Sequence, residues 1–176
     1  GFDAFGWMDK QGKRDKKHLQ QAKKLGLKVA LDLSNFNIVN AFKGMLEDII
    51  PKYVDILFSN ESEAEAFTGQ KAAEAVHTLS DLVEVSLVTL GKEGALIGSH
   101  GQFYSVPAEG GKPVDTTGAG DNFAAGFLYG QSIGASLVQS ARIGSMLAGY
   151  VIDVVGPEIP YDKWEQIKLK VKGILA

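Results

Sequence analysis

The sequence predicts an α/β protein, a three-layer αβα sandwich around a mostly parallel sheet. Three observations predict it. Helical and strand patterns alternate three times in succession between residues 14 and 90, as parallel strands require, because each needs a crossover before the next. The strand candidates are short continuous apolar runs, the pattern of strands covered on both faces. The 176 residues are 45% hydrophobic and 22% charged, an ordinary globular composition, and a chain of this size buries roughly two-thirds of its unfolded surface. One α/β domain over residues 1–176 is therefore expected, with residues 1–13 unassigned.

The elements follow in order. RDKKHLQQAKKLG, Arg14 to Gly26, reads as a charged helix closed by a glycine. LKVALDL, Leu27 to Leu33, fits a buried strand. Phe36, Val39, Phe42, Leu46 and Ile49 recur at helical spacing, so a helix is expected over Phe36–Ile50, ended by Pro51. VDILFS, Val54 to Ser59, is the second strand; NESEAEAFTG and KAAEAVHTLSDLV are a short and a longer helix; VSLVTL, Val85 to Leu90, is the third strand. GALIGS and QFYSV, joined by SHG, form an antiparallel hairpin. A loop with Gly110, Gly111 and Pro113 precedes DTTGAGDNFAAG, and helices are expected over Ala119–Gln131, Ser136–Val154 and Tyr161–Ile174. GFDAFGWMDKQG at the front matches none of these patterns.

Composition narrows the function. A net charge of −3 with scattered Lys and Arg gives neither a nucleic-acid footprint nor a polybasic membrane patch, so small-molecule partners are expected. The absence of cysteine removes disulfide frameworks, cysteine-ligated zinc and thiolate catalysis. Apolar runs fall far short of the roughly 20 residues needed to span a bilayer, so a soluble, cytoplasmic protein is expected.

Ligands of a parallel sheet bind beyond the carboxyl ends of its strands, which directs attention to Asp32, Ser34 and Asn35, to Asn60 and Glu63, to Gly91 and Lys92, and to DTTGAGD. In that last turn Gly118 and Gly120 can adopt angles closed to other residues and leave the N–H groups of residues 118–121 open to an anion. The following helix adds its positive end. A glycine turn before an acid is equally a common helix start. Asp121, in the first turn, suits phosphoryl transfer, where the attacking hydroxyl loses its proton late and needs chiefly to be aimed. Asn60 and Glu63, three residues apart, can together hold a hydrated magnesium ion, although NESEAEA also reads as an ordinary helix start with acids in its first turn. His18, His77 and His100 have no metal-ligand spacing. Thr89 and the GKEG loop are compatible with a nucleotide pocket.

Together these stretches resemble the ribokinase-like sugar and nucleoside kinases, the PfkB carbohydrate kinase family. DTTGAGDNFAAGFLYG, Asp115 to Gly130, is similar to the family's C-terminal signature; NESE at 60–63 is similar to its NxxE motif; VTLGKEGAL at 88–96 is similar to its nucleotide-side strand and turn. The resemblance implies a ribokinase-like fold with Asp121 as catalytic base and the amides of Gly118, Ala119 and Gly120 as an anion hole. It implies that Asn60 and Glu63 organise Mg2+ and the ATP phosphates, and that Thr89, Gly91, Thr116, Ser145 and Ala148 border the nucleotide. Asp115 and Thr117 would belong to a monovalent-cation (K+) site. Ser145 stands where some relatives carry His. LDLSN and ILFSNESEAEAFTG look more like the adenosine-kinase-like branch than like fructokinases. Family members are longer on the N-terminal side, so the front of the acceptor pocket and the lid are expected to be missing here.

The resulting expectation is transfer of the γ-phosphoryl group of ATP to a hydroxymethyl group of a sugar or nucleoside, with homo-oligomerisation left open. The alternatives are a truncated nucleotide-binding module without turnover and a structural αβ fragment.

Overall fold

The computed structural model describes residues 13–110 and 113–176; the front segment GFDAFGWMDKQG and Gly111 lie outside them. The described residues form two compact units. One runs through Thr89 and takes in Leu96–Phe103; the other comprises Leu90–Ala95 and Tyr104–Ala176.

The first unit holds α1 (Lys13–Lys24), β1 (Ala30–Asp32), α2 (Phe36–Tyr53), β2 (Ile56–Asn60), α3 (Glu61–Thr68), α4 (Ala72–Ser80) and β3 (Val85–Thr89). The strands β1, β2 and β3 are parallel neighbours, in register Ala30↔Ile56 and Ile56↔Val85, as the alternating sequence pattern predicts. Leu57 and Leu87 are fully buried, consistent with strands covered on both faces. Val39, Ile50, Ala64, Ala75 and Leu79 bring their helices to that core. Lys16 of α1 and Lys52 of α2 both bond Asp48, whose carboxyl these hydrogen bonds pull down to about 2.

Several boundaries differ from the sequence expectation, each for a hydrogen-bonding reason. The first strand is shorter than Leu27–Leu33 because the Leu27 N–H is spent closing α1 on the Ala22 carbonyl at 3.0 Å, after Gly26 at φ 71°. The Val29 N–H goes to the Asp55 carboxylate at 2.8 Å. The second strand begins at Ile56 because the Val54 N–H caps α2 on the Ile50 carbonyl at 3.1 Å. Pro51 does not end α2. It forfeits one ladder bond in the last turn, and the non-helical residue within α2 is Phe42, at φ −122° and ψ 17°.

A hairpin of β4 (Ala95–Ser99) and β5 (Gln102–Val106) follows β3. His100 and Gly101 both have positive φ, 49° and 74°, the requirement of a two-residue type I′ turn. The strand order is β1-β2-β3-β4-β5.

The second unit is helical: α5 (Ala119–Ser132), α6 (Leu137–Ile152) and α7 (Trp164–Leu175). Ser136 accepts from the Gln139 N–H and caps α6; a 3-10 turn, Tyr161–Lys163, leads into α7, so the last expected helix divides in two. Ile143, Met146 and Val151 of α6 pack with Ile167, Val171 and Ile174 of α7. The α5–α6 contact is made by small residues. A Cβ on Gly126 would lie 2.7 Å from the Gly144 Cα, one on Gly144 2.5 Å from the Phe123 carbonyl oxygen, and one on Gly130 2.7 Å from the Ser140 Cα. The two backbones therefore touch. Among the described residues no helix is long and apolar enough to cross a membrane.

Candidate active site

Gly118 sits at the head of α5 with φ 77° and ψ 4°, as its N-cap. Any other residue there would be strained, and a Cβ would stand 2.7 Å from the Pro157 side chain. The turn is tied down on both sides. Asp115 Oδ1 accepts from the Thr117 N–H at 2.9 Å and from its hydroxyl at 2.7 Å, while Oδ2 accepts from the Gly156 N–H at 3.0 Å. These bonds, that of Gly156 foremost, hold the Asp115 carboxyl below its ordinary range. The Asn122 amide donates to the carbonyls of Gly118, at 2.9 Å, and Pro157, at 3.2 Å.

Of the residues expected to present amides, Ala119 gives its N–H to the Thr116 carbonyl at 3.2 Å. The amides of Gly120 and Asp121 belong to the first helical turn, ahead of the i→i−4 ladder. Asp121 is exposed in that turn. A carboxylate thus stands beside helix-end N–H groups on a backbone held by bonds to Gly156 and Pro157.

In the first unit, Asn60 and Glu63 form a reciprocal capping box at the start of α3. Asn60 Oδ1 accepts from the Glu63 N–H at 3.0 Å, and Glu63 Oε2 accepts from the Asn60 N–H at 2.8 Å. The Asn60 side-chain amide donates to Glu63 Oε1 at 2.6 Å. The helix-start reading of NESE is therefore correct, whatever chemistry is added to it. Thr89, register partner of Asn60, places its hydroxyl 3.4 Å from the Ser59 carbonyl.

Glu63 is only 4% exposed. Burial raises its carboxyl above the ordinary glutamate range, the Asn60 N–H opposes that shift, and the charge of Asp32 adds to it. A raised carboxyl pKa means that the folded protein holds the proton more tightly than the unfolded chain. The stability so contributed is present below the ordinary glutamate pKa and lost as pH rises through the raised one. Glu63→Gln suffers no such loss. Its melting temperature minus that of the parent should therefore increase between about pH 4 and about pH 7, read by thermal denaturation; a flat difference would show that Glu63 titrates as in the unfolded chain.

These carboxylates fit a hydrated magnesium ion. Each Glu63 oxygen accepts one hydrogen bond and retains a second acceptor site, and Asp32, at the end of β1, supplies a second negative charge within electrostatic reach. Sequence inspection noted Asp32 only as a strand-end residue. Its coupling to Glu63 depends on the β1–β2 register, in which Asp32 pairs with Phe58.

The remaining expected residues lie in the second unit. Gly91 opens a 3-10 turn, Gly91–Glu93, at φ 54°. Ser145 and Ala148 lie on α6, and the Ser145 hydroxyl is taken up by the backbone of Pro107 and Glu109. A cavity of about 440 Å³ opens between α6 and α7, lined by residues that include Met146, Tyr150, Asp153, Lys163 and Lys170. The Lys170 ammonium sits 5.0 Å from the Tyr150 ring centre. None of the expected site residues lines this cavity.

Comparison with known proteins bears on this arrangement. Residues 13–164 match the family model described as pfkB family carbohydrate kinase. An adenosine kinase of Saccharomyces cerevisiae is 34% identical over 158 residues, which cover 82% of this chain and 46% of that protein. A probable sugar kinase from Rhizobium etli CFN 42 superposes with a TM-score of 0.83 at 32% identity, over 90% of this chain and 48% of that one. The adenosine kinase from Sinorhizobium meliloti gives 0.81 at 30%, over 91% and 51%. The chain spans about half the length of these relatives.

Proposed function

Because the chain belongs to the pfkB family of carbohydrate kinases and shares the fold of the ribokinase-like kinases, we propose that it transfers the γ-phosphoryl group of ATP to a hydroxymethyl group of a sugar or nucleoside. The observation that carries this reading is the Gly118 turn, where a left-handed residue and a first-turn carboxylate occur together on a backbone tied to Gly156 and Pro157.

In this reaction the Asp121 carboxylate takes the proton of the acceptor hydroxyl. The hydroxyl oxygen bonds to the γ-phosphorus as the bond from that phosphorus to the β–γ bridging oxygen breaks, and ADP leaves. The amides of Gly118 and Gly120, with that of Ala119 where it releases Thr116, hold the phosphoryl oxygens against the positive end of α5. Asn60 and Glu63, with Asp32, would hold magnesium through water, and magnesium when bound supplies charge neutralisation on the phosphates. Asp115 and Thr117 support the turn and would hold a monovalent cation such as K+. Thr89, Gly91, Thr116, Ser145 and Ala148 are assigned to the nucleotide.

The test is ADP release from magnesium ATP across adenosine, other nucleosides, ribose and fructose. At least one acceptor should raise the rate well above the acceptor-free rate. Nucleotide binding with no acceptor effect would instead favour a binding module without turnover.

A further inference from the structure

The cavity of about 440 Å³ between α6 and α7 is walled by one stripe of each helix. On α6, Gly149, Tyr150 and Asp153 lie three, four and seven residues on from Met146; on the other side, Gln166 and Lys170 lie three and seven residues on from Lys163. Glu109 and Gly110 close one end, and the Glu109 carboxylate lies 3.7 Å from the Arg142 guanidinium. A volume of this size is that of a small-molecule site.

The polar groups of this cavity are poorly matched within the protein. The Lys170 ammonium stands 5.0 Å from the Tyr150 ring centre and pairs with no carboxylate among the described residues. Lys163 reaches only the exposed Asp162, at 3.6 Å. The Asp153 carboxylate and the Gln166 side-chain amide bond no other described residue. The Tyr150 hydroxyl is shut off from solvent and has no hydrogen-bond partner among the described residues, a costly state for a buried donor.

We propose that this cavity binds the phosphate monoester of a sugar, with Lys163 and Lys170 on the phosphate and Asp153 and Gln166 on the hydroxyls. Two ammoniums on one stripe, each on a flexible stem, can close on a single anion. A phosphate monoester carries about −1.5 to −2 at neutral pH and matches both; a carboxylate matches one. The Asp153 carboxylate, on the facing helix, repels a second anionic group and accepts hydrogen bonds from hydroxyls. The far end of the ligand is therefore neutral and hydroxylated. An occupant that accepts from the Tyr150 hydroxyl also ends that group's lack of a partner. Such an ester occurs as a free sugar phosphate and as the ribose phosphate of a nucleotide. The proposal stands apart from the kinase reading, none of whose assigned residues lines the cavity.

The experiment is calorimetric titration with ribose 5-phosphate, AMP and inorganic phosphate of the parent, the double variant Lys163→Gln with Lys170→Gln, Asp153→Ala and Lys168→Gln. Lys168, exposed on α7, bonded to Glu165 and outside the cavity, serves as the control. Ribose 5-phosphate should bind the parent and Lys168→Gln alike, and more tightly than inorganic phosphate does. The double lysine change should weaken it at least about 10-fold at unchanged melting temperature, through the loss of charge-assisted bonds. Asp153→Ala should narrow the preference for ribose 5-phosphate over inorganic phosphate by about 3- to 10-fold, because only the ester carries hydroxyls beyond its phosphate. AMP binding more tightly, with the same dependence on both lysines, upholds the site and makes a nucleotide its occupant. Binding undiminished in the double variant places the ligand elsewhere, the proposed phosphoryl-transfer site included, and overturns the proposal. So does the absence of binding by either ester, or inorganic phosphate binding as tightly as ribose 5-phosphate, which marks an anion site only.

Discussion

Asp121→Asn should lower acceptor-dependent ADP release by about 10²- to 10⁴-fold, the range by which a positioned proton acceptor typically contributes. The substitution keeps the shape and first-turn position of the side chain and removes its ability to take a proton. Gly118 and its ties to Asn122 and Pro157 do not depend on Asp121, so nucleotide binding and melting temperature should stay near those of the parent. The rate should fall in kcat rather than in affinity for ATP, because the lost interaction is made as the hydroxyl attacks. A variant within threefold of the parent would remove Asp121 from the chemistry, since the first-turn amides would then suffice without it.

Gly144→Val should damage the fold through the α5–α6 seam. Its first carbon alone would lie 2.5 Å from the Phe123 carbonyl oxygen and 3.2 Å from the Phe123 ring, and backbone cannot yield there without parting α5 from α6. Overpacking of this kind costs about 3 kcal/mol, which for a chain of this size lowers the melting temperature by roughly 6–12 °C. Phe123 lies two residues beyond Asp121, so the displaced helix also carries the proposed base and the first-turn amides together off the ties that Asn122 makes to Pro157, and activity should fall below what the loss of folded protein explains. Gly173→Ala, in α7 with nothing within 4 Å of the added carbon, serves as the control. It should stabilise by about 0.5–1 kcal/mol through helix propensity. Equal melting temperatures for Gly144→Val and the parent would mean that the glycine seam is not a tight contact in solution.

What the sequence made legible follows from the range of the interactions involved. The parallel strands of the first unit showed themselves as continuous apolar runs, because burial on both faces leaves no room for alternation. The Gly118 turn and the capping box at Asn60 were visible because each is closed within a few residues. The first strand was overextended because of a bond that joins distant positions: Val29 lost its ladder amide to Asp55, 26 residues away. The tie between the Ser145 hydroxyl and Glu109, 36 residues away, was equally invisible in the sequence. Asp32 stood in plain view at a strand end, yet only the β1–β2 register couples it to Glu63. Pro51 was overread: proline near the end of a helix forfeits one bond and need not stop it.

The capping box makes one pair of side chains answer to two demands, and this bears on how the protein would respond to random mutagenesis. A library sorted only for soluble expression would keep position 60 among residues that can accept from the α3 backbone, while tolerating Glu63→Gln, which retains a capping oxygen and sheds a buried charge. A library sorted for turnover would hold Glu63 as glutamate and would, in addition, fix Asp121, which soluble expression leaves open to drift. Positions frozen in both screens would report folding and chemistry together; those frozen in the second alone would isolate the chemistry.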